Sequence, residues 1–331
     1  MRKRIRSWVW LVLCVSALPS WADFQAGQGA YIRRDYATAM KEWRPLAENG
    51  DAESQFNVGL LYDQGRGVAE NDQEAAQWYR MAAVQGHVQA RFTLGLMYAE
   101  GLGVPQSYLE AERWYWLAAV QGLAGAQFNL ALLYTQGRGV PQNNEEALKL
   151  LRMASEQGHA QAQFTLGFRY GKGQGVPQDD QEAAKWYRQA AVQGFTRAQF
   201  FLGGMYEQGR GVPQNDQEAA KWYRQAAVQG FAGAQFFLGS MYAQGRGVPQ
   251  DDQQMAKWFK MAADQGLADA QFIYGSICAN GNGVPQDYVQ AYRWFTLAAN
   301  QGHENAKKLR ELVAQQMTPA QIAEAEALAE D

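Results

Sequence analysis

Residues 181–195 read Gln-Glu-Ala-Ala-Lys-Trp-Tyr-Arg-Gln-Ala-Ala-Val-Gln-Gly-Phe, and residues 217–231 repeat this stretch without a change. The two copies lie 36 residues apart, and a Gly-x-Gly-Val string recurs at the same interval along the chain. A constant period through seven copies, without one insertion, indicates a repeat protein whose units pack mainly on their neighbours. The string begins at Gly65, Gly101, Gly137, Gly173, Gly209, Gly245 and Gly281.

The first half of each period predicts an amphipathic helix, here called helix A. It reads Ala-Gln-Phe-x-Leu-Gly-x-x-Tyr, as in Ala198 to Tyr206, and places apolar residues on one helical face. A glycine in the middle of a helix, such as Gly203, costs about 1 kcal/mol relative to alanine. Its recurrence at one position therefore predicts close approach of a neighbouring helix. The Gly-x-Gly string ends helix A, because glycine readily takes the left-handed conformation.

The second half of each period predicts another helix, here called helix B. Every copy has Asn, Ser or Asp at the N-cap position and Glu or Gln three residues later, as in Asp179 and Glu182. This spacing predicts a capping box with two reciprocal hydrogen bonds. The body reads Ala-Ala-x-Trp-Tyr-x-x-Ala-Ala, as in Ala183 to Ala191. Small residues allow close helix packing, and we expect the aromatic pair to fill the space between repeats.

Together, these helix and loop motifs resemble the Sel-1-like repeat, a relative of the tetratricopeptide repeat. The resemblance covers residues 51–302 as seven repeats. It implies an all-α fold, a right-handed superhelical solenoid of antiparallel helix pairs. We expect residues 23–50 to form an N-terminal capping hairpin and residues 303–331 to form C-terminal capping helices. Thr318 followed by Pro319 is typical of the start of a helix.

Residues 1–22 have the pattern of a signal peptide. Four basic residues precede an apolar stretch from Trp8 to Ala17, and small residues follow, which predicts cleavage after Ala22. The apolar stretch is too short to span a bilayer, which takes about 20 residues. We therefore expect no integral membrane segment after cleavage and a periplasmic protein, with secretion as the alternative.

The charge of the chain argues against nucleic acid as a partner. Without residues 1–22 the chain has 26 Lys and Arg against 33 Asp and Glu, a formal charge of −7. Nucleic-acid binding needs a positive surface, and no basic tract is present. Cys278 would be the one remaining cysteine, so an intramolecular disulfide is excluded and stability must come from packing.

The histidines and the cysteine predict packing rather than catalysis. His87, His159 and His303 share one position of the repeat, just after the glycine that ends helix B. Cys278 stands where other copies carry Tyr, so we expect it to be buried. We find no catalytic or metal-binding motif, and predict no enzyme activity, cofactor or metal. Other copies fill the histidine position with Leu123, Phe195, Phe231 and Leu267.

The loop between helix A and helix B carries an arginine in four copies. These arginines could form a basic edge for an anionic partner, or could be solvated and cap helix carbonyls. The sequence leaves both interpretations open. The four residues are Arg66, Arg138, Arg210 and Arg246.

The positions that differ between copies predict a binding surface. The tetratricopeptide relationship implies that helix A lines a concave groove, and its second, ninth and twelfth positions vary while core positions do not. The position after the recurring Phe becomes apolar in later copies, at Phe201 and Phe237. We predict a groove that binds an extended peptide or a partner helix. Neutral variation on a solvated surface remains the alternative. The candidate residues are Gln89, Leu96, Gln161, Phe168, Arg197, Phe201, Glu207, Phe237 and Asp269.

The sequence therefore predicts a monomeric exported scaffold that mediates protein–protein interaction at the cell envelope. Two alternatives stay open. One is a periplasmic enzyme acting on β-lactams or the cell wall, since some cysteine-rich members of the family are described that way. This chain lacks their one disulfide per repeat. The other alternative is a secreted factor for contact with a host.

Overall fold

The computed structural model describes residues 21–330, with side chains from Phe24 onward. Residues 1–20, which hold most of the predicted signal peptide, lie outside the described residues. Between residues 21 and 330 the chain forms eighteen α-helices and no β-strand. The all-α class and the predicted helix pairs are thus confirmed.

Two compact units divide the chain, with the boundary between Asn143 and Asn144. Unit 1 contains α1 (Trp21–Ile32), α2 (Tyr36–Glu48), α3 (Ala52–Asp63), α4 (Asp72–Val84), α5 (Val88–Glu100), α6 (Tyr108–Ala119) and α7 (Ala124–Gln136). Unit 2 contains α8 (Asn144–Glu156), α9 (Ala160–Lys172), α10 (Asp180–Val192), α11 (Thr196–Gln208), α12 (Asp216–Val228), α13 (Ala232–Gln244), α14 (Asp252–Asp264), α15 (Ala268–Asn280), α16 (Tyr288–Asn300), α17 (Glu304–Ala314) and α18 (Pro319–Glu330).

Within each unit, consecutive helices pack against each other in pairs. Odd-numbered helices from α3 to α15 are helices A, and even-numbered helices from α4 to α16 are helices B. The core of unit 2 contains fully buried alanines such as Ala190 and Ala226, together with Leu202. Trp222 and Tyr223 of α12 are also buried, as we expected of the aromatic pair. At the ends, α1 packs with α2, and α17 and α18 pack on α16.

The mid-helix glycine of helix A lies directly against an aromatic ring of helix B. A β-carbon added at Gly203 would lie 2.8 Å from Cδ1 of Tyr223, closer than carbon atoms can pack. Gly167 stands in the same relation to Tyr187, with a separation of 2.9 Å. The predicted close approach is confirmed, and the group that approaches is a ring. The copy with Ala131 at this position carries Leu151 where the other copies carry Tyr or Phe.

The second glycine of the Gly-x-Gly string allows the loop to contact the preceding repeat. Gly211 has a φ of +65°, and a β-carbon there would overlap the carbonyl oxygen of Asp180 at the start of α10. Gly247 makes the same approach to Asp216 at the start of α12. Only glycine meets both demands, a positive φ and the absence of a side chain. The string is therefore an element of contact between repeats as well as a helix stop.

The predicted capping box is only half formed. The Asp179 side chain accepts hydrogen bonds from the amides of Gln181 and Glu182, as expected of an N-cap. The reciprocal bond was wrongly predicted, because the Asp179 amide donates instead to the carbonyl of Tyr170 at the end of helix A, at 3.0 Å. Glu182 accepts from Lys185 and from Nε1 of Trp186. The carbonyl at the end of helix A thus accepts the N-cap amide hydrogen bond that the capping box would have directed to Glu182.

A buried row of glutamines, which the sequence analysis did not foresee, connects successive repeats. Gln199 of α11 is 3% exposed, and its Nε2 donates to the carbonyl of Ala191 at the end of α10, at 3.1 Å. Its Oε1 accepts from Nε2 of Gln229, which follows α12, at 2.8 Å. The same pair of bonds recurs at Gln235 and Gln265. Each buried amide is therefore satisfied while it joins three helices.

We expect Gln199→Met to lower the free energy of unfolding by about 1–2 kcal/mol. Methionine keeps the length of the side chain but removes both hydrogen bonds inside the packed interface. Urea unfolding, followed by circular dichroism, measures the change. Gln217→Met is the matched control, since Gln217 of α12 is exposed and its side chain forms no hydrogen bond among the described residues. Equal stability of Gln199→Met and the wild type would show that the glutamine row does not stabilise the fold.

Candidate functional site

The candidate site lies on an exposed surface of three helices A in unit 2. The second, sixth and ninth residues of α11 are Arg197, Phe201 and Gly204. Their i, i+4, i+7 spacing places them on one side of the helix. We call the surface formed by these three positions of α9, α11 and α13 the helix-A face. It comprises Gln161, Thr165 and Phe168, then Arg197, Phe201 and Gly204, then Gly233, Phe237 and Ser240.

Aromatic rings form the centre of the helix-A face. Phe201 contacts Phe168 edge to face, with ring centroids 6.2 Å apart. Phe237 stacks on Tyr223 with centroids 5.3 Å apart and an angle of 17° between the ring planes. Phe237 is nevertheless 37% exposed, which is unusual for a phenylalanine in an aromatic cluster. The stack therefore holds an apolar ring in place at the surface.

A cleft of about 690 Å³, part of it open to solvent, lies beside these rings. We call it the aromatic cleft. Phe201, Phe237 and Tyr187 line it, together with Gly171 and Gly204. Gly204 occupies the ninth position of helix A, where α5, α7 and α9 carry Leu or Phe. The loss of a large side chain at this position opens the space, so the cleft is a consequence of a local sequence difference.

Charged side chains surround the aromatic cleft. Asp180 and Arg210 line it and form an ion pair at 2.7 Å. The hydrogen bond to Asp180 raises the pKa of Arg210, and the two charges offset each other. Lys172 also lines the cleft, is exposed, and forms no ion pair within the described residues. Lys172 is therefore the charged residue of this cleft that no ion pair neutralises.

A second cleft, here called the N-terminal cleft, lies at the starts of the helices A of unit 2. Gln161 of α9 and Arg197 of α11 line it, together with Gln229. Thr196 donates a hydrogen bond to Gln229 at 2.7 Å, which fixes one wall. Arg197 is exposed and, in the part of the chain that the structure describes, forms no ion pair. The N-terminal cleft thus combines the rings of Phe195 and Phe231 with polar groups and one unpaired cation.

Five of the nine predicted binding residues lie together on the helix-A face of unit 2. They are Gln161, Phe168, Arg197, Phe201 and Phe237. Their proximity follows from the register of the repeats, because each occupies the second, sixth or ninth position of its helix. Whether they bind a partner stays a prediction.

The other four predicted residues lie elsewhere. Glu207 is the twelfth residue of α11 and is not one of the residues that define the helix-A face; its carboxylate accepts from the Tyr223 hydroxyl at 2.8 Å and pairs with Arg246 at 3.1 Å. Asp269 of α15 is exposed and lies 3.6 Å from Nε2 of a histidine. Gln89, which is exposed, and Leu96, which is half-buried, belong to α5 in unit 1.

The loop arginines of unit 2 form contacts between repeats. Arg210 pairs with Asp180, and Arg246 pairs with Asp216 at 2.9 Å, in each case with the first residue of the preceding helix B. In unit 1, Arg66 donates to the Tyr31 hydroxyl at 2.9 Å. Their side chains neither cap helix carbonyls nor form a free basic edge in these three copies. They supplement the glycine contact made by the same loop.

The histidines have a role that the sequence analysis missed. His87 and His159 are N-cap residues, and Nδ1 of His159 accepts from the amide of Ala162 at 3.2 Å. His87 also stacks on Phe56, with ring centroids 4.6 Å apart. The interpretation of this position as structural is confirmed. The signal was available, since the residue precedes helix A by one position, but histidine is not among the preferred N-caps.

We expect His159 to make the stability of the fold depend on pH below its ordinary pKa. Burial lowers the pKa of His159 from the usual 6.5, so the unfolded chain binds its proton first as the pH falls. The contribution of neutral His159 is therefore complete above about pH 6.5 and is lost as the pH falls below that value. Protonation also removes the lone pair on Nδ1 that accepts from Ala162.

His159→Asn is the matched control, because asparagine retains a cap acceptor but does not titrate. Urea unfolding at about pH 7.5 and about pH 5.5 should show a larger loss of stability in the wild type than in the variant. The other titrating groups are common to both proteins, so they contribute equally to the two losses of stability and cancel in the comparison. Parallel losses in the two proteins would exclude this role for His159.

Three further observations concern chemistry and membranes. Cys278 is 3% exposed, as predicted, and burial raises the pKa of its thiol to about 11, which keeps it protonated at neutral pH. Within residues 21–330, no three His, Cys, Asp or Glu side chains form a group that could hold a metal ion. None of the helices described combines the length and the apolar character needed to cross a membrane.

Comparison with protein families gives a match over the predicted repeats. The model of the Sel1 repeat matches seven consecutive segments, residues 52–87, 88–123, 124–159, 160–195, 196–231, 232–267 and 268–303. The chain belongs to the Sel1-repeat family. Proteins of this family generally act as scaffolds for protein–protein interaction and are generally not enzymes. A comparison with curated proteins finds no match.

Solved structures of Sel1-repeat proteins resemble this one. A Sel1 repeat protein from Oxalobacter formigenes is 35% identical, with a TM-score of 0.67, and the match covers 88% of this chain and 86% of the other. The protein c5321, described as a protective antigen of uropathogenic Escherichia coli with an SLR fold, is 30% identical. That match has a TM-score of 0.42 and covers 93% of this chain and 82% of c5321.

Proposed function

We propose that this Sel1-repeat protein is an exported scaffold of the cell envelope, located in the periplasm, that binds a protein partner on the helix-A face of unit 2. The observation that supports this most strongly is Phe237, which is stacked on Tyr223 yet 37% exposed beside the aromatic cleft. Aromatic rings held rigid at a surface are typical anchors for a partner side chain. The bound element is an extended peptide or a partner helix.

The clefts support a peptide-sized ligand more than a small molecule. The aromatic cleft is open to solvent, and the N-terminal cleft continues the helix-A face toward the starts of the helices. A surface of this kind contacts a chain segment over several residues, whereas small-molecule sites enclose most of the ligand. The scaffold role of the family agrees with this interpretation.

Site-specific photocrosslinking in the native cell tests the location of the binding surface. A photoreactive phenylalanine analogue is placed at Phe237 on α13 and, as a control, at Val228 on α12, which is apolar and 66% exposed. We expect a discrete crosslinked partner from position 237 and none from position 228. Crosslinks from position 228 alone would place the partner on another surface and contradict the proposal.

Fractionation of the native cell tests the location of the protein. The basic and apolar pattern of residues 1–22 supports export. We expect the protein in the periplasmic fraction, with a mass that corresponds to cleavage after Ala22. An intact chain in the cytoplasm would overturn this part of the proposal. A cleaved protein in the culture medium would replace the periplasm with secretion.

A further inference from the structure

We propose that the partner segment is acidic, with a large apolar side chain flanked by carboxylates. This inference rests on the proposed function and specifies the chemistry of its ligand. The apolar side chain would enter the aromatic cleft beside Phe201 and Phe237. The carboxylates would meet Lys172 at one end and Arg197 at the other.

The free charge of the helix-A face is positive. The helices α9, α11 and α13 contain one carboxylate, Glu207, and Arg246 already neutralises it at 3.1 Å. Asp180, which also lines the aromatic cleft, is neutralised by Arg210. Lys172 and Arg197 remain exposed without ion pairs among the residues described.

This local charge is opposite in sign to the charge of the whole chain. The protein has a formal net charge of −3, yet Arg197 of the helix-A face and Lys172 of the aromatic cleft are both unpaired cations. On the helices B of unit 2, Lys185 is paired with Glu182 and Lys221 with Glu218, whereas Lys257 of α14 and Lys307 and Lys308 of α17 form no ion pair among the described residues. Charge complementarity of this kind selects the partner and its orientation.

The positions of the two cations determine the spacing of the ligand. Arg197 lies at the start of α11, and Lys172 lies at the end of α9, at the repeat position that Gln208 occupies in α11. Eleven residues separate these positions along the helix axis, about 16 Å at 1.5 Å per residue, and the lateral separation of α9 from α11 adds to this distance. Phe201 lies between them. A segment that reaches both cations therefore needs at least about five extended residues or about eleven helical residues.

Selection from a random peptide library tests the inference even while the partner is unidentified. A phage-displayed library of peptides of about twelve residues, about 18 Å long as a helix, is selected on the immobilised full chain. We expect enriched peptides to share a Trp, Phe or Leu with Asp or Glu on both sides. The affinity of a selected peptide should fall with rising salt, because surface ion pairs are screened.

Charge reversal provides the decisive comparison. The double variant Lys172→Glu, Arg197→Glu should bind the selected acidic peptides at least about tenfold more weakly, which is about 1.4 kcal/mol, and should select basic peptides instead. The double variant Lys185→Glu, Lys221→Glu makes the same change in net charge on helices B and should retain the wild-type selection. Circular dichroism checks that both variants are folded.

Each outcome of the selection has a distinct meaning. Enriched peptides without acidic residues, or the same peptides on both charge-reversed variants, would overturn the inference while a peptide-binding surface remained. No enrichment at all would also overturn it, and the photocrosslinking at Phe237 would then decide the proposed function separately. Acidic peptides that bind only when Lys172 and Arg197 are present would support both.

Discussion

Gly211→Ala lowers the free energy of unfolding by about 3 kcal/mol or more in our expectation. Two effects add at this residue. A left-handed backbone costs a non-glycine residue roughly 1–2 kcal/mol, and the new methyl group would overlap the carbonyl oxygen of Asp180. The loop can avoid this overlap only by moving away from α10, which disturbs the contact between two repeats. Overpacking of this kind adds about 1–3 kcal/mol.

Gly175→Ala is the matched control for Gly211→Ala. Gly175 has a φ of +73°, but a β-carbon there would lie 3.8 Å from Nη1 of Arg169, which is ordinary contact. Its substitution should therefore cost only the backbone strain, about 1–2 kcal/mol. Urea unfolding of the two variants gives the difference. Equal losses would mean that the loop needs glycine for its conformation alone.

Gly203→Ala and Gly204→Ala should change the stability in opposite directions although they are adjacent in α11. Alanine at position 203 would place its methyl group 2.8 Å from the Tyr223 ring, and we expect a loss of about 1–3 kcal/mol. Alanine at position 204 would lie 3.4 Å from the Tyr223 hydroxyl, where the contact is tolerable. Its better helix propensity should then raise the stability by up to about 1 kcal/mol.

The chain itself suggests a rescue for Gly203→Ala. The copy with Ala131 carries Leu151 in place of the aromatic residue, so Gly203→Ala combined with Tyr223→Leu should lose less stability than the two single changes together. Urea unfolding of all four proteins completes the double-mutant cycle. Additive losses would show that the glycine and the ring do not interact. Destabilisation of both glycine variants would contradict the predicted change of sign.

The sequence predicted the repeat and its helices because local signals and the period agree. The glycine of helix A, represented by Gly203, even predicted close packing, since a destabilising residue kept at one position implies a compensating contact. The prediction of the reciprocal hydrogen bond from Glu182 failed, because the Asp179 amide has a competing acceptor outside the capping-box pattern. The amide of Asp179 lies near the carbonyl of Tyr170, and no rule of local spacing contains that contact.

The buried glutamines were missed for a related reason. Gln199 belongs to a recurring string and could equally have been an exposed helix residue. Its burial becomes meaningful only when the end of α10 and the next repeat supply its two partners. The loop arginines are similar, because Arg210 pairs with Asp180, thirty residues earlier in the chain. Such pairs require the packing of repeats to be known.

The binding surface was predictable in part from helix geometry. Arg197, Phe201 and Gly204 fall within about 60° of one another at 100° per residue, whereas Glu207 lies about 80° away from Arg197. The angular offset of Glu207 from Arg197 could have been calculated from the sequence. In the structure, Glu207 contacts Tyr223 and Arg246. The exposed fraction of Phe237 could not have been calculated, because it depends on how its ring stacks on Tyr223.

The affinity of the crosslinked partner segment for the wild type, Phe237→Ala and Val228→Ala tests the central claim most directly. Isothermal titration calorimetry measures all three, with circular dichroism to confirm that each protein is folded. If the helix-A face of unit 2 binds the partner, Phe237→Ala weakens binding by about tenfold or more, and Val228→Ala leaves it nearly unchanged. Equal affinity of the wild type and Phe237→Ala would contradict the account and place the binding surface elsewhere on the chain.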